Sequence, residues 1–279
     1  MIYIVIPVFN RKHFTKDCLI SLRNQTYKHH KTIIVDDGST DGTKQMLESE
    51  FPEVIVLSGD GNLWWTKSVN MGIRHALSLG ADYIMTLNND TIATPDFLEK
   101  MMYWAERTPN ALLGAFDIDS ISKKPYYGGE IINWPLAKSR YLLDELKEED
   151  LHGIREVSLY PGRGLLIPRH VFDKTGLYAE KELPHYMADY DFTHLVIRHG
   201  FKVYCNYDAK LYTFPEEGGD HKLKKKKSLK NYYNHLFSIK GGANLKNFTI
   251  YTFRNCPKKD IPVSLVIGYL RRLGGYWIR

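Results

Sequence analysis

The chain has 279 residues, 43% of them hydrophobic and 25% charged. That length and balance suit one large domain, or one domain with an extension, and exclude a fibre or a wholly disordered chain. The formal charge of +6 is gathered near the C-terminus, in His221-Lys222-Leu223-Lys224-Lys225-Lys226-Lys227 and in Arg271, Arg272 and Arg279, so an anionic partner is expected at that end.

Cys18, Cys205 and Cys256 form no CxxC pair, which argues against a disulfide framework or zinc knuckle and for a reducing, cytosolic setting. Ile2 to Val8 lacks a basic leader, and no stretch reaches the roughly 18 to 20 apolar residues of a membrane span. A soluble chain, or one bound at a membrane surface, is the expectation.

Ile2-Tyr3-Ile4-Val5-Ile6 reads as a central parallel strand buried on both faces. Asn10 is placed to cap a helix whose apolar stripe is Phe14, Cys18, Leu19 and Leu22. Thr32 to Val35 is a second strand that ends in Asp36-Asp37-Gly38-Ser39-Thr40-Asp41-Gly42, and Met46, Leu47 and Phe51 mark a second helix. Val54 to Leu57 is a third strand. Val69, Ile73, Ala76 and Leu77 recur at helical spacing, with Gly80 as C-cap. Tyr83 to Leu87 is a fourth strand, ending in Asn88-Asn89-Asp90, and Thr94-Pro95 opens a helix carrying Leu98, Met101, Met102 and Ala105. This alternation implies a parallel sheet with crossover helices. From about Ala111 the rhythm loosens: Ala111–Phe116, Gly164–Ile167 and Lys202–Cys205 read as strands on longer connections, and residues 144–150 as a solvated charge run.

Three loops follow buried strands: Pro7-Val8-Phe9-Asn10, Asp36-Asp37-Gly38 and Asn88-Asn89-Asp90. If those strands are neighbours, all three open onto one crevice. Clustered carboxylates repel unless something binds them, so a site is expected there. Gly59-x-Gly61 is not a dinucleotide fingerprint, because Trp64 stands where the third glycine belongs.

Ile4-Val5-Ile6-Pro7-Val8-Phe9-Asn10, Val35-Asp36-Asp37-Gly38-Ser39-Thr40-Asp41-Gly42-Thr43, Leu87-Asn88-Asn89-Asp90 and Met187-Ala188-Asp189-Tyr190-Asp191-Phe192 occur in that order. Together they resemble the motifs of family 2 glycosyltransferases of the GT-A fold, over roughly residues 1 to 215. The resemblance implies an α/β fold: a mostly parallel nucleotide-binding sheet flanked by helices, here with a basic helical C-terminal extension. It divides the chain into a catalytic domain over 1–220, with a nucleotide-sugar half over 1–110 and an acceptor half over 111–220, and an extension over 221–279.

The resemblance also implies roles. Pro7, Val8, Phe9, Asn10 and Asp37 would cradle the nucleotide, with Asp37 accepting from the base. Asp90 would bind a Mg²⁺ or Mn²⁺ ion at the diphosphate, with His221 as a second ligand; Asn88 replaces the first Asp of the usual Asp-x-Asp pair, and Asn89 shapes the turn. Gly61, Asn62, Trp65 and Lys67 would belong to a loop closing over the donor, of Trp64 and Trp65 one facing the donor and one the core. Gly162, Arg163 and Gly164 would line the acceptor side. Asp189 would be the general base, and Asp191 either shares that role or caps the helix of Phe192, Leu195 and Val196. The partners implied are a UDP-, dTDP- or GDP-linked sugar and a glycan or lipid-linked glycan, as in bacterial surface polysaccharide assembly, a rhamnosyltransferase-like subgroup being compatible. Basic and aromatic residues in the tail suggest an anionic membrane surface at the cytoplasmic face; no motif supports nucleic acid. Two other classes remain open: a sugar-nucleotide-binding protein without activity, and a nucleotidyltransferase, which would be expected to carry a glycine-rich basic loop in place of Pro7 to Asn10.

Overall fold

The apolar run at the N-terminus forms the centre of the sheet. In the structure, a computed structural model that describes residues 1–217 and 227–278, β1 (Ile2–Val8) pairs parallel with β2 (His30–Asp36) on one side and β4 (Tyr83–Thr86) on the other. Ile2, Ile4, Val5 and Ile6 are consequently fully buried. β3 (Ile55–Ser58) extends the parallel half beyond β2. Crossovers run through α1 (Lys12–Arg23), α2 (Thr43–Glu50) and α3 (Trp64–Ser78). Alternate residues of β1 feed two cores. Ile4 and Ile6 pack with Cys18 and Leu22 of α1, Met46 of α2 and Phe97 and Met101 of α4 (Phe97–Ala105); Val5 packs with Val69 and Ile73 of α3 on the other face.

The second half is mixed. β6 (Ala111–Asp119) and β12 (Lys202–Thr213) pair parallel, and β11 (Leu165–Pro168) enters antiparallel between β4 and β6. Among the described residues the sheet has ten strands. Its main path runs β10-β12-β6-β11-β4-β1-β2-β3, with β10 (Ile154–Glu156) at one edge, β5 (Thr91–Ala93) beside β12 and β7 (Pro125–Tyr127) beside β6. β8 (Glu130–Asn133) and β9 (Lys138–Tyr141) form a separate hairpin. α5 (Arg169–Thr175) and α6 (Ala188–Arg198) follow β11. The expected charge run over 144–150 touches two short 3₁₀ turns, Leu142–Asp144 and Glu148–Asp150.

The C-terminal part is helical: α7 (Leu229–Phe237), α8 (Leu245–Asn255) and α9 (Ile261–Ile278). Ser228 and Asn244 start the first two by accepting from Asn231 N (3.1 Å) and Asn247 N (2.9 Å). The extension packs on α6 through a polar seam, with Arg254 Nε 2.7 Å from Asp191 Oδ1, Tyr251 Oη 2.8 Å from His194 Nε2, and Arg198 donating to Asn255 Oδ1 at 2.6 Å.

Two local expectations are corrected. Asn10 does not cap α1: its backbone is left-handed at φ 52°, and its amide oxygen instead accepts from Thr40 N (2.7 Å), tying the β1 loop to the β2 loop. The helix expected from Thr94-Pro95 begins at Phe97, because Thr94 accepts Phe97 N only as a turn.

Candidate active site

β4, β1 and β2 are adjacent and parallel, so the loops after Thr86, Val8 and Asp36 leave the sheet along one edge. Pro7 and Val8 are the last residues of β1, and Phe9 beyond them is 48% exposed, an aromatic face left bare at the crevice. Asp37 is buried beneath the loop of Gly61 and Asn62. Its carboxylate accepts from Gly61 N (2.8 Å), Leu63 N (2.9 Å) and Trp64 N (3.3 Å), and so caps α3. A side chain at Gly59 would meet Asp37 Oδ1 at 2.5 Å, so glycine is needed for the loop to lie this close. Asn62 and Lys67 are exposed on this loop and the first turn of α3.

The end of β4 distributes its three polar residues. Asn89 is buried and donates to Thr15 Oγ1 (2.9 Å), fixing the turn against α1. Asn88 accepts at Oδ1 from the Trp65 indole (3.1 Å). Asp90 Oδ2 stands 2.6 Å from Arg11 Nη1, and the other terminal nitrogen of Arg11 donates to Glu217 O at 2.5 Å. Both tryptophans are half-buried: Trp65 packs edge-on to Tyr178, while Trp64 meets His185 and has Lys240 Nζ 5.6 Å from its ring centre.

Gly162, Arg163 and Gly164 close on the same place. Gly162 N donates to Asp189 Oδ2 (3.1 Å), and a Cβ on Gly162 would lie 2.3 Å from the Trp65 ring, so glycine lets the loop pass between the indole and the carboxylate. Asp189 sits in the first turn of α6, where Met187 turns the chain at φ 72°; Oδ1 accepts from Tyr190 N (2.9 Å). Burial raises its pKa against the lowering effect of those N–H groups. Arg163 donates twice to Asp117 Oδ2 (2.8 and 2.6 Å). Asp117 is fully buried, its Oδ1 has no partner, and burial outweighs the guanidinium to push its pKa up to about 6. Gly164, left-handed at φ 71°, passes β11 into the sheet through Gly164 N to Thr86 O (2.9 Å). Thus Trp65, Asn88, Gly162 and Asp189 form one contact chain, and Arg11–Asp90 and Arg163–Asp117 are two ion pairs near it.

Asp191 stands apart from this chain. It is 1% exposed and its carboxylate is taken by Arg254 (2.7 and 2.9 Å) and Asn255 Nδ2 (2.7 Å). It lies inside α6 rather than at its N-cap, which is Met187. Sequence reasoning also passed over Arg11, Asp117 and Glu130. Glu130 is 2% exposed, accepts from Tyr127 Oη (3.2 Å), and has its pKa raised by burial, with the charge of Asp189 adding to the rise. His185, in the loop before Asp189, has a buried Nδ1 without a partner, and burial holds it down at about 4.

The donor set does not suit a resident divalent cation as it stands. At a diphosphate site such an ion is held by one or two carboxylates together with phosphate oxygens and waters. Among the described residues no group of three His, Cys, Asp or Glu side chains is arranged to hold one. Asp90 is neutralised by Arg11 and Asn88 Oδ1 is already an acceptor. His221 lies outside the described residues.

The fold is that of GT-A enzymes. The structure of S. aureus TarS 1-349 in complex with UDP matches with a TM-score of 0.60 at 13% identity, covering 99% of this chain and 88% of that one. GalNAc-T7 with UDP, GalNAc and Mn²⁺ matches with a TM-score of 0.60 at 13% identity, covering 77% of this chain and 43% of that one. The sequence model described as Glycosyl transferase family 2 matches residues 3–174, and the chain belongs to that family. An uncharacterized glycosyltransferase of Haemophilus influenzae is 24% identical over 210 residues, 72% of this chain and 61% of the relative. One of Rickettsia prowazekii is 27% identical over 203 residues, 68% of this chain and 57% of the relative. The chain thus spans about three fifths of the length of these relatives. Asp189 lies beyond the segment matched by the family model.

Proposed function

We propose that the chain transfers one sugar from a UDP-, dTDP- or GDP-linked donor to a hydroxyl of a glycan or lipid-linked glycan, with inversion at the anomeric carbon. The observation that carries this reading is the contact chain from Asn88 through Trp65 and Gly162 to Asp189, which joins the donor end of β4 to an anchored carboxylate. The nucleotide would lie along Pro7 to Asn10 and the loop of Gly61, Asn62 and Lys67, against the exposed face of Phe9. The acceptor hydroxyl would enter beside Gly162, Arg163 and Gly164. Its oxygen bonds to the anomeric carbon as the bond from that carbon to the diphosphate oxygen breaks. The hydroxyl proton passes to Asp189, and the bonding pair leaves on the diphosphate. Burial helps Asp189 here, since a raised pKa makes it a stronger base once ionised. Asp191 holds the helix that carries it.

The Mg²⁺ or Mn²⁺ ion expected from the resemblance would have Asp90 as its protein carboxylate, and no step is assigned to it. In GalNAc-T7 the bound Mn²⁺ belongs to that protein. Among the described residues no helix is long and apolar enough to cross a membrane. A surface role for the extension at the inner face of the membrane is supported by the bare apolar side chains Val263, Val266, Leu270 and Trp277 on α9.

The reading is tested by Asp189→Asn. Donor hydrolysis and transfer should fall by about 10² to 10⁴-fold, while UDP affinity, read by calorimetry, stays within about threefold of wild type. Unchanged turnover would remove Asp189 from the chemistry. Pyrophosphate release from a nucleoside triphosphate would instead support a nucleotidyltransferase.

A further inference from the structure

Among the described residues, the side chain that pairs with Asp90 is a cation belonging to the chain itself. Arg11 is the N-cap residue of α1, three positions beyond the end of β1, and its side chain reaches Asp90 Oδ2 (2.6 Å) with one nitrogen and Glu217 O (2.5 Å) with another, passing 5.6 Å from the Phe14 ring centre. The pair is partly shielded, with Arg11 29% and Asp90 14% exposed at the side chain. A guanidinium carries five N–H donors in a rigid fork, so donors remain after both contacts are made, and the fork matches phosphate oxygens. A second guanidinium, Arg163, is close enough to feel the charge of Asp90 while bound to Asp117. Among the described residues, the two guanidiniums offset the charges of the carboxylates they bind, Asp90 and Asp117. With Asn88 in place of an Asp, Asp90 is the one carboxylate at this strand end, and it is already paired with Arg11.

Resting on the donor-binding reading above, we infer that Arg11 is the cation that meets the donor diphosphate. Asp90 holds the guanidinium in place when the site is empty, and nucleotide binding does not depend on a divalent metal. Arg11 then acts as a binding residue for the leaving group, and Asp90 positions it.

Calorimetry with UDP, dTDP and GDP, each in EDTA and in Mn²⁺, tests this on wild type, Arg11→Gln and Arg11→Lys. Wild type should bind one of the three in EDTA, with Mn²⁺ changing its affinity by less than about threefold. Arg11→Gln should lose about 10- to 100-fold in EDTA, the scale of a hydrogen bond to a charged group. Mn²⁺ should restore part of that loss, because Asp90 has been freed. Arg11→Lys, which keeps the charge but not the fork, should fall between. Wild-type binding that occurs only with Mn²⁺, or Arg11→Gln binding as wild type does in EDTA, overturns the inference and leaves the proposed function standing. Failure of wild type to bind any of the three in either condition overturns both. The wild-type comparison stands even if a variant misfolds.

Discussion

Gly162→Ala probes the join between the two halves of the site. Gly162 does not occupy the left-handed region, unlike Gly164 at φ 71°, so alanine meets no backbone penalty and the effect is steric. Its Cβ would lie 2.3 Å from Trp65 Cζ2 and 2.4 Å from Cη2. Trp65 cannot yield freely, since its indole N–H is spent on Asn88 Oδ1 (3.1 Å) and its edge rests on Tyr178 at 5.6 Å between centroids. An overpacked methyl of this kind costs about 1 to 3 kcal/mol, which at this chain length lowers Tm by roughly 2 to 12 °C. The relief must come from the ring or from the loop, and a loop shift lengthens the 3.1 Å bond from Gly162 N to Asp189. A displacement near 1 Å at that carboxylate would lower turnover about 10²-fold. The control is Trp65→Phe, which deletes the far part of the indole. It costs stability alone, by stranding Asn88 Oδ1, but makes room for the methyl. Thermal unfolding of wild type, both single variants and the double variant should show the double variant less destabilised than the sum, by about 1 kcal/mol or more. Additivity to within about 0.5 kcal/mol would refute the packing of Trp65 on Gly162.

Arg254→Met leaves Asp191 buried with Asn255 as its remaining partner. Breaking a buried pair costs about 3 to 5 kcal/mol; since Arg254 is 36% exposed, about 2 to 3 kcal/mol is expected, a Tm fall of roughly 4 to 12 °C. Asp191→Asn added to it should recover part of the loss, and a Tm within about 1 °C of wild type would show that the seam does not hold the extension. Asp117 governs a pH dependence of opposite sign to ordinary acid denaturation. Its folded pKa of about 6 lies above the unfolded value, so between about pH 4 and 6 the folded chain keeps a proton that the unfolded chain has lost, and stability falls as pH rises. Denaturant unfolding of wild type against Asp117→Asn should show wild-type stability falling relative to the variant by roughly 2 kcal/mol from pH 4 to pH 7. A pH-independent difference would count against the burial of an ionisable Asp117.

The N-terminal half was legible because each of its elements is specified locally. Ile2–Ile6 is too uniformly apolar for anything but a strand buried on both faces, and Gly80, at φ 79°, ends α3 where its apolar period stops. Parallel strands in that rhythm force their C-terminal loops onto one edge, so the sequence alone places Asp37 and Asn88 to Asp90 together. What each carboxylate does there was not legible. The family resemblance implies that Asp37 accepts from a base, and its oxygens take the N–H groups of Gly61, Leu63 and Trp64. Asp90 reads as a metal ligand, yet it meets Arg11. Nothing in a sequence marks such a pair, because its partners lie on different loops and neither follows a period.

The second half of the chain hid its contacts for a related reason, but one of them leaves a trace. Asp191, His194 and Arg198 recur at i, i+3 and i+7 on α6, one polar face on which Asp191 and His194 are buried and Arg198 is exposed. Tyr251, Arg254 and Asn255 repeat i, i+3 and i+4 on α8. The two stripes meet: His194 on Tyr251, Asp191 on Arg254 and Asn255, and Arg198 on Asn255. A polar stripe at core spacing is costly to bury unless an opposing stripe satisfies it, so it forecasts a partner helix in place of solvent or a cap. Asp189 lies outside that stripe, two positions before Asp191, and turns toward Gly162 instead. The two aspartates of one short motif are therefore separated by helical geometry: one faces the extension and fixes the helix, and the other faces the crevice with its second oxygen one hydrogen bond from the loop that carries Arg163.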